Sequence, residues 1–288
     1  MSAAELASGK GHTDENFPVA SHLIAARHRP AILAFYRVAR LADDVADHPT
    51  ATTDEKLARL AEIEASLLGK SAGSPEAVAL RQVLSERSLD GAHALDLLEA
   101  FRRDVTKTRY DDWAELMDYC RYSAAPVGRF VLDVHGEDRS TWPASDALCA
   151  ALQVINHLQD CAKDYLELDR VYLPLDVLEA AGAQVEMLGS DQAAPALLAA
   201  IRSLASRTQG LLDQARPLAG QVRDLRLALE IGAIHRLARS LVVRLMRRDP
   251  LAERVHHSRL EALGVAALGV GAALGSRPGA RQRRQAGP

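Results

Sequence analysis

Acidic side chains recur every four residues in one stretch of the chain, Gln153 to Pro174. On an α-helix, Asn156, Asp160 and Asp164 fall within a stripe of roughly 80°, and Gln153 lies just beside it. Two carboxylates four residues apart repel each other, so such a stripe is either solvated or neutralised by a cation. A row of carboxylate and amide oxygens is the ligand set that hard divalent ions, Mg²⁺ above all, prefer.

A second acidic stripe lies between Arg40 and Asp47. Asp43 and Asp47 are again four residues apart, and Arg40 and Asp44 fall within the same sector of roughly 100°. The remaining positions of this helix are apolar, which is typical of a buried helix, so the stripe should face an internal cavity. His48-Pro49 ends the helix, which places the acids where they oppose its dipole and favours a bound cation.

Two acidic stripes on separate buried helices suit one chemistry especially well. Acid clusters on either side of an apolar cavity can hold several Mg²⁺ ions that bind a diphosphate. The apolar walls then hold the carbon chain that is attached to it. The alternative for either stripe alone is a polar helix face in contact with water.

Composition limits the fold and the class of partner. The chain has 288 residues, 48% of them hydrophobic, and a net charge of −3, which gives no general case for nucleic-acid binding. Ala and Leu recur at spacings of three and four, which predicts an all-α protein. Cys120, Cys149 and Cys161 have neither zinc spacing nor a disulfide pattern, and they are interpreted as small core residues in a reducing cytosol. No signal peptide and no apolar run long enough to span a bilayer are found, so a cytoplasmic protein is expected.

The chain is expected to comprise a flexible N-terminus (1–15), one all-helical domain (16–260) and an apolar segment with a basic flexible tail (261–288). A charged cluster ends the helix that runs to Thr106, and most of its residues are interpreted as solvated; they are Arg102, Arg103, Asp104, Lys107 and Arg109. Pro126 and Gly128 predict a kink or a close backbone approach. The predicted helices cover about 21–48, 53–68, 75 onwards, 92–106, 111–134, 144 through the second stripe, 185–219 and 220–248.

The segment Ala262 to Gly275 is apolar and contains four glycines. It is too short to cross a bilayer, so a final helix packed on the core is the default interpretation. The alternative is an anchor at the membrane surface. In that case the basic residues that follow would lie at the lipid headgroups; they are Arg277, Arg281, Arg283 and Arg284.

Taken together, these motifs resemble those of the squalene/phytoene synthase family over roughly residues 16 to 250. The family's first motif is matched by Phe35-Tyr36 followed by Arg40, Asp43, Asp44 and Asp47. Its second motif, Gln-x-x-Asn-x-x-x-Asp-x-x-x-Asp, is matched by Gln153, Asn156, Asp160 and Asp164. Two intervening segments, Arg102 to Asp104 and Tyr119 to Gly128, also correspond to family segments.

Several details are similar to HpnC, a bacterial branch of that family whose members form hydroxysqualene. Ala125-Pro126 stands where phytoene synthases carry Gly-Thr, and Leu168-Asp169 stands where a Gly usually precedes Arg-x-Tyr. Both departures favour the HpnC branch. The similar segments are Glu15 to Val19, Ala42 to Asp47, Tyr119 to Gly128, and Leu158 to Tyr165 with Asp169 to Pro174.

The resemblance implies a single-domain isoprenoid-synthase-type helical bundle around a central apolar cavity. It also implies Mg²⁺-dependent conversion of presqualene diphosphate to hydroxysqualene: the diphosphate ionises, the cation rearranges and water captures it. Several Mg²⁺ ions and no NADPH are expected. The implied metal ligands are Asp43, Asp47, Asn156, Asp160 and Asp164. The same four aspartates and Tyr172 are the implied catalytic residues. The implied substrate-binding residues are Tyr36, Arg40, Asp44, Tyr122, Gln153, Asn156 and Arg170.

The implied partner is an isoprenoid diphosphate. Peripheral contact with the inner membrane surface through the C-terminal segment and association with other squalene-pathway enzymes are further expectations. One alternative activity is head-to-head condensation of two farnesyl or geranylgeranyl diphosphates to presqualene diphosphate, squalene or phytoene. A non-catalytic assembly factor on the same fold is the remaining alternative, and the retention of all four acidic residues disfavours it.

Overall fold

The structure is a computed structural model, and it describes residues 23–276. These residues form thirteen α-helices and two short 3₁₀ helices. Within the described part of the chain, the β-type pairing is confined to one isolated bridge between Arg109 and Val171. The all-α prediction is confirmed. The flexible segment predicted for 1–15 and the basic tail from Arg277 lie outside the described residues. The helix predicted from about Ser21 is wrong over residues 23–28, which form turns, and the first helix begins at Arg29.

The chain divides into two compact units. The first comprises the described residues up to Thr108 together with Asp118–Gly136, and the second comprises Arg109–Met117 and the described residues from Glu137 onward. The division into domains expected from the sequence stays a prediction. The helices up to residue 136 are α1 (Arg29–Ala46), α2 (Thr53–Leu67), α3 (Pro75–Glu86), α4 (Ala92–Thr106), α5 (Trp113–Ser123) and α6 (Ala125–Val134). The helices of the rest of the second unit are α7 (Trp142–Gln159), α8 (Cys161–Leu168), α9 (Leu175–Ala180), α10 (Pro195–Ala215), α11 (Leu218–Gln221), α12 (Leu225–Leu245) and α13 (Arg259–Ser276).

The first unit is built around α1, which packs against α2, α3, α4 and α6. Its apolar positions bury Phe35, whose ring stacks on Phe130 of α6 with centroids 4.1 Å apart. The predicted interruption near Pro126 is confirmed, because α5 ends at Ser123 and α6 begins at Ala125. An otherwise buried helix therefore carries the acidic residues, as the sequence pattern indicates.

In the second unit α7 packs against α10, α10 against α12, and α12 against α13. The start of α12 is fixed by a residue distant in sequence. The buried carboxylate of Glu137 accepts hydrogen bonds from the backbone N–H groups of Arg223 and Asp224, both at 2.8 Å. The Asp224 side chain then caps α12 by accepting from Leu227 N–H at 2.9 Å.

The apolar C-terminal segment forms α13, which lies against α12 with almost no side chain between the two backbones. A Cβ atom added at Gly232 would lie 2.7 Å from the carbonyl oxygen of Gly269, and one at Gly269 would lie 2.8 Å from Ala233 Cα. Only glycine allows this approach. The expected packing against the core is thus found on one face of α13, while the opposite face exposes leucines. None of the helices in residues 23–276 has the length and hydropathy needed to cross a bilayer.

Candidate active site

The first acidic cluster lies at the C-terminal end of α1. The guanidinium of Arg40 donates to Asp43 Oδ2 at 2.7 Å and to Asp44 Oδ1 at 2.6 Å. Asp47, the residue that ends the helix, adds a third carboxylate. One Arg40 cation therefore serves two acids in a cluster of three, and the cluster keeps an excess of negative charge.

Asp104 of α4 adds a fourth acid to this region. Its side chain is buried, and it accepts a hydrogen bond from the Tyr119 hydroxyl at 2.9 Å. The interpretation of this helix end as solvated is therefore wrong for Asp104. The spacing of apolar residues indicates that Asp104 is buried, since it lies seven residues after Leu97 and four after Ala100, on the buried face of α4.

The pKa of Asp43 reflects this crowding of acids. Burial first, then Asp47, and to a smaller degree Asp104 and Asp44 together raise the pKa from its usual value of 3.8 to about 7, against the lowering by Arg40. The side chain still exposes 37% of its surface, so an ion can reach the carboxylate. A carboxylate held in this way among other acids favours binding of a cation.

We expect the thermal stability of the metal-free protein to fall between pH 3.8 and about pH 7 through the titration of Asp43. Over this interval the folded chain holds a proton that the unfolded chain has lost, so the folded state binds more protons and stability falls as the pH rises. The contribution is fully present below pH 3.8 and lost above about pH 7. Melting temperatures of the wild type and of Asp43→Asn, measured with a chelator across this range, test the expectation. A difference between the two proteins that does not change with pH would contradict it.

The tyrosines predicted to bind substrate occupy different surroundings in the first unit. Tyr36 is half-buried on α1, one turn before Arg40. The ring of Tyr122 lies against two guanidinium groups, with Arg103 4.3 Å and Arg121 4.5 Å from its centroid. Arg121 also donates to the Tyr122 hydroxyl at 2.8 Å. Tyr122 thus serves as a platform for two cations.

The second acidic cluster spans the junction of α7 and α8. The single helix predicted here is wrong at Asp160, whose backbone (φ −105°, ψ 10°) separates the two helices. The hydrogen bonds from Asp160 N–H to Asn156 O (2.9 Å) and from Asp164 N–H to Asp160 O (2.8 Å) nevertheless continue across the break. The three predicted metal ligands therefore keep their four-residue register.

His157 organises this cluster, although the sequence did not single it out. It is buried on α7, its Nε2 lies 3.2 Å from Gln153 Nε2, and its Nδ1 lies 3.9 Å from Asp164 Oδ2. If the Gln153 amide donates to Nε2, the ring proton is on Nδ1 and faces Asp164. The imidazole also stacks on Tyr172, with centroids 3.7 Å apart, and Tyr172 in turn stacks on Tyr110 at 5.6 Å. The orientation of Tyr172, a predicted catalytic residue, is fixed by these rings.

The loop between α12 and α13 completes the surroundings of Asp160. The Gln159 side chain donates to Val255 O at 2.5 Å, which holds this loop against the end of α7. Burial and then Asp164 raise the pKa of Asp160, while Lys163, His256 and His157 lower it. Burial also raises the pKa of the Cys161 thiol to about 12, so this thiol stays protonated and is not a nucleophile.

A residue with a left-handed backbone conformation, Asp169, joins α8 to Arg170. Asp169 has φ 50° and ψ 34°, and Arg109 Nη2 binds its carboxylate at 2.6 Å. The turn brings the backbone N–H of Arg170 to 3.0 Å from Asp164 O, and the Arg170 side chain is buried. Asp169 is the residue that stands where the family usually has Gly, and Asp is among the few other residues that tolerate this conformation.

We expect Asp169→Gly to change the free energy of unfolding by less than about 1 kcal/mol, because relief of the left-handed backbone offsets the loss of an exposed ion pair. Asp169→Val should destabilise by about 2 kcal/mol, because a β-branched residue is strained at this φ. Urea denaturation of both variants tests this. Equal stability of the Gly and Val proteins would contradict the backbone argument.

The chemistry of the donor set suits hard divalent cations in both units. In each unit two aspartates four residues apart include one whose pKa is raised by burial and by a neighbouring acid, Asp43 in the first and Asp160 in the second. Carboxylate oxygens with an amide oxygen from Asn156 match the preference of Mg²⁺, and neither cluster offers the thiolate or imidazole set typical of zinc.

Comparison with known proteins finds a matching family and several similar relatives. A family model described as squalene/phytoene synthase matches residues 10–261. The hydroxysqualene synthase of Rhodopseudomonas palustris is 59% identical over 260 residues, which cover 90% of this chain and 89% of that protein. The hydroxysqualene synthase of Zymomonas mobilis is 54% identical and covers 92% of this chain and 90% of its own length.

A solved structure is also similar to this chain in sequence and in fold. The crystal structure titled squalene synthase HpnC from Alicyclobacillus acidocaldarius matches with a TM-score of 0.72 and 34% identity, over 85% of this chain and 92% of the other. The predicted type of helical fold is thereby confirmed.

Proposed function

Because the chain belongs to the squalene/phytoene synthase family, we propose that it converts presqualene diphosphate and water into hydroxysqualene and diphosphate. The observation that carries this choice of product is the 59% identity, over 90% of the chain, to a protein named hydroxysqualene synthase. The pairs of crowded carboxylates in both units support a diphosphate as the group that is recognised.

The proposed reaction balances without an electron donor. The bond between the cyclopropylcarbinyl carbon and the diphosphate oxygen breaks, and its electron pair leaves with the diphosphate. The carbocation rearranges to the linear skeleton, a water oxygen forms the new carbon–oxygen bond, and the proton of that water is released to solvent. NADPH is therefore not expected to take part.

Mg²⁺ would be held by Asp43 and Asp47 in the first unit and by Asn156, Asp160 and Asp164 in the second, and when bound it supplies Lewis-acid stabilisation of the leaving diphosphate. The protein contributes the positions of these ligands. Arg40 holds Asp43 and Asp44 in place through its two hydrogen bonds. In the second unit the contact of Gln153 with His157 orients the imidazole, whose Nδ1 faces Asp164 Oδ2 at 3.9 Å.

Cationic and hydroxyl groups of the chain would share the charge of the departing diphosphate. The buried Arg170 is placed beside Asp164 by the turn at Asp169, and a guanidinium suits phosphate oxygens well. Tyr172 would assist with its hydroxyl group, in an orientation set by the rings of His157 and Tyr110. Tyr36 and Tyr122 would contact the substrate in the first unit.

Separate incubation of the purified protein and Mg²⁺ with presqualene diphosphate and with farnesyl diphosphate, followed by lipid analysis, tests the proposal. We expect hydroxysqualene from presqualene diphosphate and no terpenoid product from farnesyl diphosphate alone. Presqualene diphosphate, squalene or phytoene formed from an allylic diphosphate alone would overturn the assignment.

The second candidate is the head-to-head condensation of two farnesyl diphosphates. One observation favours it: the HpnC structure that is 34% identical is titled a squalene synthase. The same assay separates the two activities. An Asp160→Ala protein with full activity would instead revive the idea of a non-catalytic role for the acids.

We also propose that α13 lies at a membrane surface. From Ala262 to Ser276 the helix has no charged residue, its outward face exposes large apolar side chains, and the sequence beyond it is basic. The exposed leucines are Leu260, Leu263, Leu268 and Leu274. Pelleting with vesicles, compared between the full chain and one lacking 262–288, tests this contact. Association with other squalene-pathway enzymes stays a prediction.

A further inference from the structure

A groove of about 500 Å³ lies in the second unit between the end of α10, α11, α12 and α13. Its floor is apolar and includes Ile231 and the two residues of α13 that approach α12 most closely, Gly269 and Ala273. Its rim carries Arg216, Arg236 and Arg239. None of the residues assigned above to diphosphate binding lines it, so the groove is a separate site.

The groove carries an excess of positive charge. Among its lining residues Asp213 is the acidic one, and it is paired with Arg239, whose Nη1 lies 2.5 Å from Asp213 Oδ1. Three arginines and one aspartate leave a net charge of +2. The side chains of Arg216 and Arg236 are exposed, and among residues 23–276 neither side chain has a hydrogen bond or an ion pair.

His235 does not add to this charge at neutral pH. Its Nε2 donates to Leu212 O at 2.7 Å, and burial together with Arg239 and Arg216 lowers its pKa against the opposing effects of that hydrogen bond and Asp213. The cationic character of the groove therefore comes from the arginines and persists across the physiological pH range.

An apolar floor beneath a rim of guanidinium groups fits an anionic amphiphile, which has a phosphate and an attached hydrocarbon chain. The helix that forms one wall, α13, is also the helix whose outward face exposes leucines and which carries no charge from Ala262 to Ser276. A lipid at the edge of this face would place its chains beside the leucines and its headgroup at the rim.

We propose that the groove binds the headgroup of an anionic phospholipid in the bilayer on which α13 lies, with Arg216 and Arg236 contacting the phosphate. This inference rests on the proposed membrane contact. The positive charge of the groove argues against the chain's own C-terminal residues, or a second copy, as its occupant. The residues after α13 include four arginines and no acid, and a second copy that met the first through the same face would offer another row of arginines.

Flotation of the full-length protein with vesicles tests the site. Phosphatidylcholine vesicles are compared with vesicles that also contain phosphatidylglycerol, for the wild type, for Arg216→Gln/Arg236→Gln and for the matched control Arg202→Gln/Arg247→Gln. The control removes the same charge at exposed arginines of the second unit that do not line the groove. We expect the groove variant to lose about 10- to 30-fold in partitioning to anionic vesicles and the control to lose about threefold or less.

Equal losses in the two variants, or no preference of the wild type for anionic vesicles, would overturn the proposal. So would lipid-free self-association that the groove variant abolishes, because that result would assign the groove to a second copy. Melting temperatures within about 2 °C of wild type exclude misfolding as the cause of a loss. Hydroxysqualene formation is assayed in parallel in detergent: a wild type that floats but forms no product would refute the proposed reaction while leaving the headgroup site intact.

Discussion

We expect Asp160→Asn to lower kcat/KM for presqualene diphosphate by about a thousandfold in steady-state assays with Mg²⁺. We expect Asp43→Asn to cause the same loss. Each substitution removes a charged oxygen donor that acts on a leaving group of high negative charge, and groups of this kind contribute about 10²–10³ in rate. The loss should appear in kcat more than in KM, because the charge on the diphosphate develops fully only as its bond breaks.

A matched aspartate and a second readout make this expectation specific. Asp191 is an exposed aspartate of the second unit without a partner among residues 23–276, and Asp191→Asn should keep wild-type activity. The metal-free Asp160→Asn protein should also melt at a higher temperature than wild type near pH 7, because burial disfavours the charged form that it replaces. Loss of activity accompanied by a lower melting temperature would instead indicate a structural role.

We expect Gly269→Leu to destabilise the second unit by about 3 kcal/mol. A side chain at this position would run into the backbone of α12, and overpacked contacts of this kind typically cost about 1–3 kcal/mol, sometimes more. The helix α13 should then separate from α12. Urea denaturation measures the loss, and limited proteolysis should show faster cleavage in the loop between the two helices.

Gly271→Ala is the control within the same helix. A Cβ atom there meets no other atom within 4 Å, so the variant should gain up to about 1 kcal/mol from helix propensity. Equal effects of the two substitutions would show that α13 does not pack closely on α12.

The acidic clusters could be predicted from sequence because their signal is periodic. Asp43 and Asp47 on a helix that is otherwise apolar, and Asn156, Asp160 and Asp164 in four-residue register, place their oxygens on one side whatever the tertiary contacts. The break at Asp160 leaves the four-residue register of these side chains intact, so the pattern that reveals the cluster contains no sign of the break.

The residues that the sequence did not reveal act through contacts distant along the chain. His157 matters because Tyr172 stacks on it, and His256 lies near Asp160 because Gln159 binds the loop at Val255. A single sequence contains no record of such pairings. Asp104 differs from these residues. The spacing of apolar residues places it on the buried face of α4, whereas the charged residues around it favour a solvated helix end.

The carboxylate of Glu137 has a kinetic consequence. It secures the start of α12 across a separation of 86 residues, so the first turn of that helix cannot be completed until two distant parts of the chain have met. Loop closure of this length raises contact order and slows folding. The first turn of α12 should accordingly acquire protection from hydrogen exchange late in refolding, after the interior of α10 has become protected.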